Sequence, residues 1–258
     1  MFRIIIIENE SDREGKTMTN KPKMILFDYG NTLIYEPGWD NHGSVRALYS
    51  LIESNPYNVT VDELDSFILT LFEDIRRLRG EFIEIHEYPF LRYVLEYYNL
   101  KLSVPFAEAE WLMWNGISSG KEMPGAYDML KYLDEHGIRT GIISNLCWSG
   151  NTLKRRLNQF FPEHKFEFVM TSSEYIFRKP ERHIFELALR KAELSPYEVW
   201  YAGNSLICDV KGAHEADMFA VHIDEPEINA GFKKEQDTYV PDFEYLHIEH
   251  WSELSKFI

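Results

Sequence analysis

The feature that most limits what this chain can fold into is an alternation. Short apolar runs at Met24–Phe27, Gly141–Ser144, Phe166–Met170, Val199–Ala202 and Phe219–Ile223 are separated by stretches with helical spacing, near Thr152–Phe160, Glu181–Ala192 and Asp209–Ala216. A further helix opens at Pro124 and closes at Gly137, just before the second run. A strand that is apolar throughout is covered on both faces. Strand–helix alternation built from such strands predicts an α/β fold with a parallel sheet between helical layers. The composition permits it: 45% of the 258 residues are hydrophobic and 15% aromatic, enough for a full core.

Residues 37–121 break the rhythm. They read as helices without strands, beginning with the capping box Thr60-Val61-Asp62-Glu63, whose helix carries Leu64, Phe67, Ile68 and Leu71 on one side and stops at Gly80. Glu87–Tyr98 and Pro105–Trp114 read as two more helices. The expected organisation is a core of residues 24–36 and 122–258, with 37–121 inserted as a helical cap. Residues 224–242 are polar, with Pro226 and Pro241, and read as a loop before a last strand near Tyr245–Ile248. Residues 1–23 read as an N-terminal appendage, with Met18 or Met24 as the functional start; the alternative is an extra edge strand at Phe2–Ile7. That run is short, and no small-residue cleavage site follows it.

Net charge narrows the partners. A formal charge of −15 disfavours nucleic acid and anionic membranes, so an anionic small-molecule substrate needs a local basic anchor. No run approaches the roughly 18 apolar residues of a membrane span. Cys147 and Cys208 are the only cysteines, which suits a reducing cytoplasm.

In an open parallel sheet, ligands bind beyond the carboxyl ends of the strands. Four polar constellations stand at such ends. Asp28-Tyr29-Gly30-Asn31-Thr32-Leu33 follows the first run; Asp28 there is either a nucleophile facing the crevice or a loop Asp that caps a turn. Ser144-Asn145 offers a hydroxyl and amide groups to a phosphate or carboxylate oxygen, or simply caps a helix. Lys179, fixed by Pro180 at a helix start, is either the required anchor or a solvated surface residue. Gly203-Asn204-Ser205-Leu206-Ile207-Cys208-Asp209 places Asp209 on a first helical turn, beside a cation near Asp28 or as a dipole-favoured carboxylate.

Each signal is weak alone; their order, spacing and position are together specific. The arrangement resembles the haloacid-dehalogenase-like hydrolase superfamily, in the subfamily with a helical cap inserted after the first motif. The resemblance is carried by Ile25–Leu33, Gly141–Asn145, Ser172–Phe185 and Trp200–Met218, and it runs over residues 24–258, with the cap matching only in placement and helical content. It implies a Rossmann-like core, Asp28 as nucleophile, Ser144 as donor to a phosphate oxygen and Lys179 as charge neutraliser. Thr32 and Asn145 are the expected substrate contacts. Mg²⁺ is expected at Asp28, the Gly30 carbonyl, Asn204 and Asp209.

Two positions depart from the pattern. Phosphatases of this type carry a second Asp two residues after the nucleophile, which protonates the leaving alkoxide; Gly30 stands there. An acid is also usual where Asn204 stands. The leading expectation is a Mg²⁺-dependent phosphatase acting on a small phosphorylated metabolite through an Asp28 phospho-enzyme, with a substitute acid, a water or a good leaving group. The alternatives are an impaired or non-catalytic binding relative, and a 2-haloacid-dehalogenase-like hydrolase, whose halide needs no acid. His42, His86 and His183 are candidate proton donors. Cys147 and Cys208 read as small buried hydrophobes, and Trp111, Met113 and Trp114 as cap core. Arg76, Arg77 and Arg79 read as one solvated face that would suit a substrate carboxylate only if turned inward.

Overall fold

Period-two burial builds the centre of the molecule. In the computed structural model, which describes residues 3–5, 21–229 and 239–258, strand β2 (Met24–Phe27) is fully buried. Ile25 and Phe27 join one apolar cluster, while Met24 and Leu26 join a second on the opposite face. β9 (Val199–Gly203) divides in the same way, with Trp200 and Ala202 on the first face and Val199 and Tyr201 on the second. Each of the larger aliphatic side chains and Phe27 contributes roughly 1.5–3 kcal/mol by leaving water, which fixes both register and facing.

The central sheet has seven strands in the order β1-β11-β10-β9-β2-β7-β8. β7 is Arg139–Ser144, β8 Val169–Thr171, β10 Phe219–Ile223 and β11 Tyr245–Ile248. These strands with β2 and β9 pair in parallel; β1 (Arg3–Ile5) pairs antiparallel with β11 at one edge. The fold is thus an α/β Rossmann-like one. β1 falls where the sequence allowed an extra edge strand, whereas residues 6–20 lie outside the described residues. The strand expected at Phe166–Met170 lies slightly later, and the loop expected over 224–242 contains a short helix at Pro226–Asn229, with residues 230–238 outside the described residues.

β2 stands at the switch point of this order. The chain moves from β2 to β7 and β8 on one side, then returns to β9 on the other. Phe27 is level with Ile142 and with Ala202, so Asp28, Ser144 and Gly203 leave the sheet at neighbouring points on one edge. A crevice at that edge follows from topology.

Between β3 (Ile34–Tyr35) and β6 (Lys121–Glu122), which pair antiparallel side by side, the chain leaves the sheet and forms helices. These are α1 (Asn41–Ser50), α2 (Val61–Arg79), α3 (Glu87–Tyr97) and α4 (Phe106–Ile117). Thr60 and Glu63 form the expected capping box on α2, and Gly80 ends it at φ 69°. The reading of this region as free of strands needs one correction. β4 (Ile52–Ser54) and β5 (Lys101–Leu102) form a small antiparallel ribbon, apart from the central sheet. Gly43 of α1 faces Gly116 of α4 so closely that a Cβ on either would overlap the other's backbone carbonyl. Among the described residues no helix is long and apolar enough to cross a membrane.

Candidate active site

Lys179 is the hub of the crevice. Its ammonium donates to Asp28 Oδ1 at 2.7 Å, to Asp209 Oδ1 at 2.6 Å and to the Tyr201 hydroxyl at 2.7 Å. Ser144 Oγ donates to Asp28 Oδ1 at 3.0 Å. Asp28, Ser144, Lys179 and Asp209 are all buried, and all line one cavity of about 340 Å³. The four residues chosen from the sequence therefore converge.

Each is placed by its element. Asp28 is the first residue after β2, and its backbone N–H donates to Ala202 O at 2.9 Å, extending the ladder by one step. Ser144 is the last residue of β7. Asn145 grips the Lys179 backbone from both sides, Nδ2 donating to Lys179 O at 2.9 Å and Oδ1 accepting from Lys179 N at 2.8 Å. Asp209 does not open an ordinary α-helix. The turn begins earlier, at Leu206, and is wound as a wide π-helical segment, Leu206–Lys211, capped by Ser205, before α-helical Gly212–Glu215. Its Oδ2 accepts from Ser205 N at 2.9 Å. Gly203 makes room for it, since a Cβ there would overlap the Asp209 carboxyl group.

Two carboxylates and one ammonium leave one negative charge in surplus. Burial raises the pKa of Asp28, with Lys179 opposing and Asp209 reinforcing the rise. For Lys179 burial disfavours the charge, but Asp209 and then Asp28 outweigh it, and its pKa is raised. Burial, reinforced by Asp209 and Asp28, pushes the Tyr201 phenol well up, so it stays a neutral partner that donates to Ile143 O at 2.9 Å.

The remaining candidates divide. Gly30 and Asn204 line the cavity. A Cβ at Gly30 would meet open space, so its missing side chain is a true gap in the wall. Thr32 is a correction: it is fully buried outside the cavity lining, its hydroxyl has no partner among the described residues, and its carbonyl accepts from Trp251 Nε1. Asn145 is a correction in part, because its amide is consumed by the Lys179 backbone although it borders the cavity. His42 pairs with Asp65, His86 caps α3 through Tyr88 N, and His183 pairs with Glu181; none lines the cavity. Cys147 and Cys208 are both free and half-buried, and burial raises the pKa of each.

Sequence reasoning missed several lining residues. Glu36 accepts from the Tyr29 hydroxyl at 2.7 Å and from Trp114 Nε1 at 2.9 Å, with Arg156 at 3.3 Å. Trp114 stacks on Trp148 at 5.7 Å and borders the cavity, so it is more than cap core. Arg178 borders it too; its place beside Lys179 was the available signal. Arg79, expected on a solvated face with Arg76 and Arg77, turns inward with only 13% of its side chain exposed.

The donor chemistry suits a hard cation in kind. Ser144 and Lys179 both use Oδ1 of Asp28, and Asp28, Gly30 and Asn204 line the cavity together. Oxygen donors are what Mg²⁺ prefers, with waters completing the shell. The set is thin in charge: among the described residues no three of His, Cys, Asp and Glu converge as a metal cluster, and both oxygens of Asp209 already accept protein donors.

A buried Asp stands at the switch point, held by a hydroxyl and an ammonium, and sequence comparison gives the family. Residues 52–223 match the family model described as haloacid dehalogenase-like hydrolase, and the chain belongs to that family. It is similar to a glyceraldehyde 3-phosphate phosphatase of Pyrococcus furiosus, 27% identical over 77% of this chain and 79% of that protein. It also resembles the human haloacid dehalogenase-like hydrolase domain-containing protein 3, 29% identical over 44% of each, and a glyceraldehyde 3-phosphate phosphatase of Methanothermobacter thermautotrophicus, 36% identical over 39% of this chain. The matches span 44% of the length of each of the last two relatives. In fold it is similar to a HAD phosphatase from Thermococcus onnurineus, with TM-score 0.60 and 20% identity over 90% of this chain and 96% of that one. It is likewise similar to a 2-haloacid dehalogenase from Pseudomonas syringae, with TM-score 0.56 and 20% identity over 92% and 98%.

Proposed function

We propose that the chain is a phosphatase for a small phosphorylated metabolite, with Asp28 as the nucleophile that becomes phosphorylated. The observation that carries this reading is the Lys179 ammonium, bonded at once to Asp28 and Asp209 with Ser144 on the same oxygen of Asp28. That arrangement fixes the Asp28 carboxylate in the cavity wall, oriented for attack.

In this reading one carboxylate oxygen of Asp28 forms a bond to phosphorus as the bond from phosphorus to the ester oxygen breaks, and the leaving oxygen departs with the electron pair. Lys179 and Ser144 offset charge on the phosphoryl oxygens. Water then cleaves the acyl phosphate, releasing inorganic phosphate and restoring the carboxylate. The second oxygen of the Asp28 carboxylate, the Gly30 carbonyl and Asn204 Oδ1 would hold Mg²⁺, which would neutralise phosphoryl charge. Nothing at position 30 can protonate the leaving oxygen, a loss that typically costs ~10²–10⁴ in rate. The leaving group must therefore carry its own charge, as a phenolate or carboxylate does. Residues 37–121 serve as the cap over the strand ends, with 24–36 and 122–258 as the core. The relatives named as glyceraldehyde 3-phosphate phosphatases support the broader class, small phosphorylated metabolites; that named substrate leaves as an alkoxide and so is not of the leaving-group type that Gly30 calls for.

The test is turnover of an aryl phosphate with and without Mg²⁺, alongside chloride release from a 2-chloro acid. The expected result is Mg²⁺-dependent phosphate release that Asp28→Asn abolishes. Metal-independent chloride release would replace the reading with dehalogenase chemistry.

A further inference from the structure

A second cavity, of about 890 Å³, opens on the other side of Lys179, between the end of α2 and the Arg178–Pro180 loop. Six basic side chains line it against three acidic ones, a local reversal in a chain of net charge −15. The charges are unequal in kind. Arg76 and Arg77 pair with Glu73 and Asp74 one turn earlier on the exposed face of α2, and such pairs leave little field behind. Arg79 and Arg178 differ: both turn to Glu84, a buried carboxylate that also accepts from Ser172 Oγ at 3.1 Å.

Two guanidinium groups on one carboxylate leave one positive charge in surplus. Arg178 gives Nη1 to Glu84, and among the described residues nothing engages its Nε or Nη2. Its position is fixed by the backbone. Residues 82–84 run antiparallel beside 176–178, with Glu84 N donating to Ile176 O at 2.7 Å and Arg178 N to Phe82 O at 2.9 Å. Burial, with Arg79 adding to it, lowers its pKa to about 10, so it remains charged at neutral pH. Arg178 also lines both cavities. A planar fork with one side docked and the other free, next to the residue that holds the nucleophile, is suited to an anion.

We propose that the free side of Arg178, with Arg79 beside it, receives a second anionic group of the substrate, a carboxylate or phosphate remote from the phosphoryl group that Asp28 attacks. This rests on the phosphatase reading for the role of Asp28. It distinguishes this chain's substrate from a phosphorylated aldehyde, which has no second charge.

The experiment compares two probes of one carbon skeleton, 3-phosphoglycerate and glyceraldehyde 3-phosphate, by calorimetry on the Asp28→Asn protein with Mg²⁺. 2,3-Bisphosphoglycerate serves as the phosphate arm. The charged-tail probes should bind at least tenfold more tightly than the aldehyde, as expected for a charge-assisted contact. Adding Arg178→Met or Arg178→Lys should cut that advantage to below threefold. The lysine variant keeps a charge for Glu84 but removes the fork, so it covers a methionine variant that fails to fold by circular dichroism. An advantage for the bisphosphate alone would make the second group a phosphate. Equal binding of all three probes, or an advantage that survives in the lysine variant, would overturn the proposal. Turnover of p-nitrophenyl phosphate by the wild-type protein reads separately on the phosphatase. Its absence beside an intact binding advantage would remove that activity and leave the anion site standing.

Discussion

Among the described residues two pairs of buried carboxylates are held in opposite ways. Asp28 and Asp209 share a buried ammonium at the edge of the sheet. Glu87 and Glu110, where α3 and α4 meet the loop after β7, have no basic partner among the described residues. Neutral donors hold Glu110 instead: Ser149 N at 2.6 Å, Ser149 Oγ at 2.7 Å and Thr152 Oγ1 at 2.5 Å, all at the start of α6 (Gly150–Phe160). Burial, with Glu110 adding to it, pushes Glu87 up to about 7. Both pairs join distant segments, but only the first has a cation between its carboxylates and lines the cavity. The second is a clasp between the helical region and the core.

The largest effect should come from removing the shared cation. Lys179→Met leaves two buried carboxylates without a counter-charge, which should cost about 3–5 kcal/mol of stability. The denaturant midpoint measures it, and a loss below 1 kcal/mol would mean the ammonium is not pairing them. The second effect is a pH dependence confined to the clasp. The folded Glu87 carboxyl holds its proton where the unfolded one, at 4.5, has already lost it. Its contribution is therefore complete below about pH 4.5 and declines as pH rises through 7, by about 3 kcal/mol at most. Melting at pH 5.5 and pH 8 reads the slope, and Glu87→Gln should flatten it; a slope unchanged in that variant assigns it elsewhere. A smaller effect separates two glycines. Gly203→Ala should cost about 1–3 kcal/mol because its methyl group meets Asp209. Gly30→Ala should leave the midpoint nearly unchanged, and equal losses at the two sites would contradict the geometry.

How far the sequence carried depended on the range of the interactions. Met24–Phe27 and Tyr245–Ile248 were legible to the residue, because full burial writes an uninterrupted apolar run. Asp28 and Ser144 were legible as strand-end residues, and Lys179 and Asp209 as residues in or just before the next helical segment, since sheet topology brings such positions together. Thr32 misled because it lies inside a motif whose turn points it into the core beneath Trp251, and motif membership does not fix side-chain direction. Asn145 was rightly chosen as polar, but its partner, the Lys179 backbone, is 34 residues away. The contacts of Glu110 with Ser149 and Thr152, and of Glu84 with Arg178, are longer-range still, and no local pattern records them. The wide turn at Leu206–Lys211 escaped because the helical periodicity beyond it is ordinary.

The central claim is that Asp28 acts in a site whose leaving-group acid is missing at Gly30. The most direct measurement is kcat/KM for a series of alkyl and aryl phosphates, in the wild-type protein and in Gly30→Asp. The open space at position 30, and a φ outside the left-handed range, mean that the new side chain should be accommodated. The account predicts a wild-type enzyme far better on aryl than on alkyl phosphates, and a variant that gains most on alkyl phosphates, by ~10²-fold where the new carboxyl reaches the leaving oxygen. Equal wild-type rates across the series, or a folded Gly30→Asp protein with an unchanged preference, would contradict it.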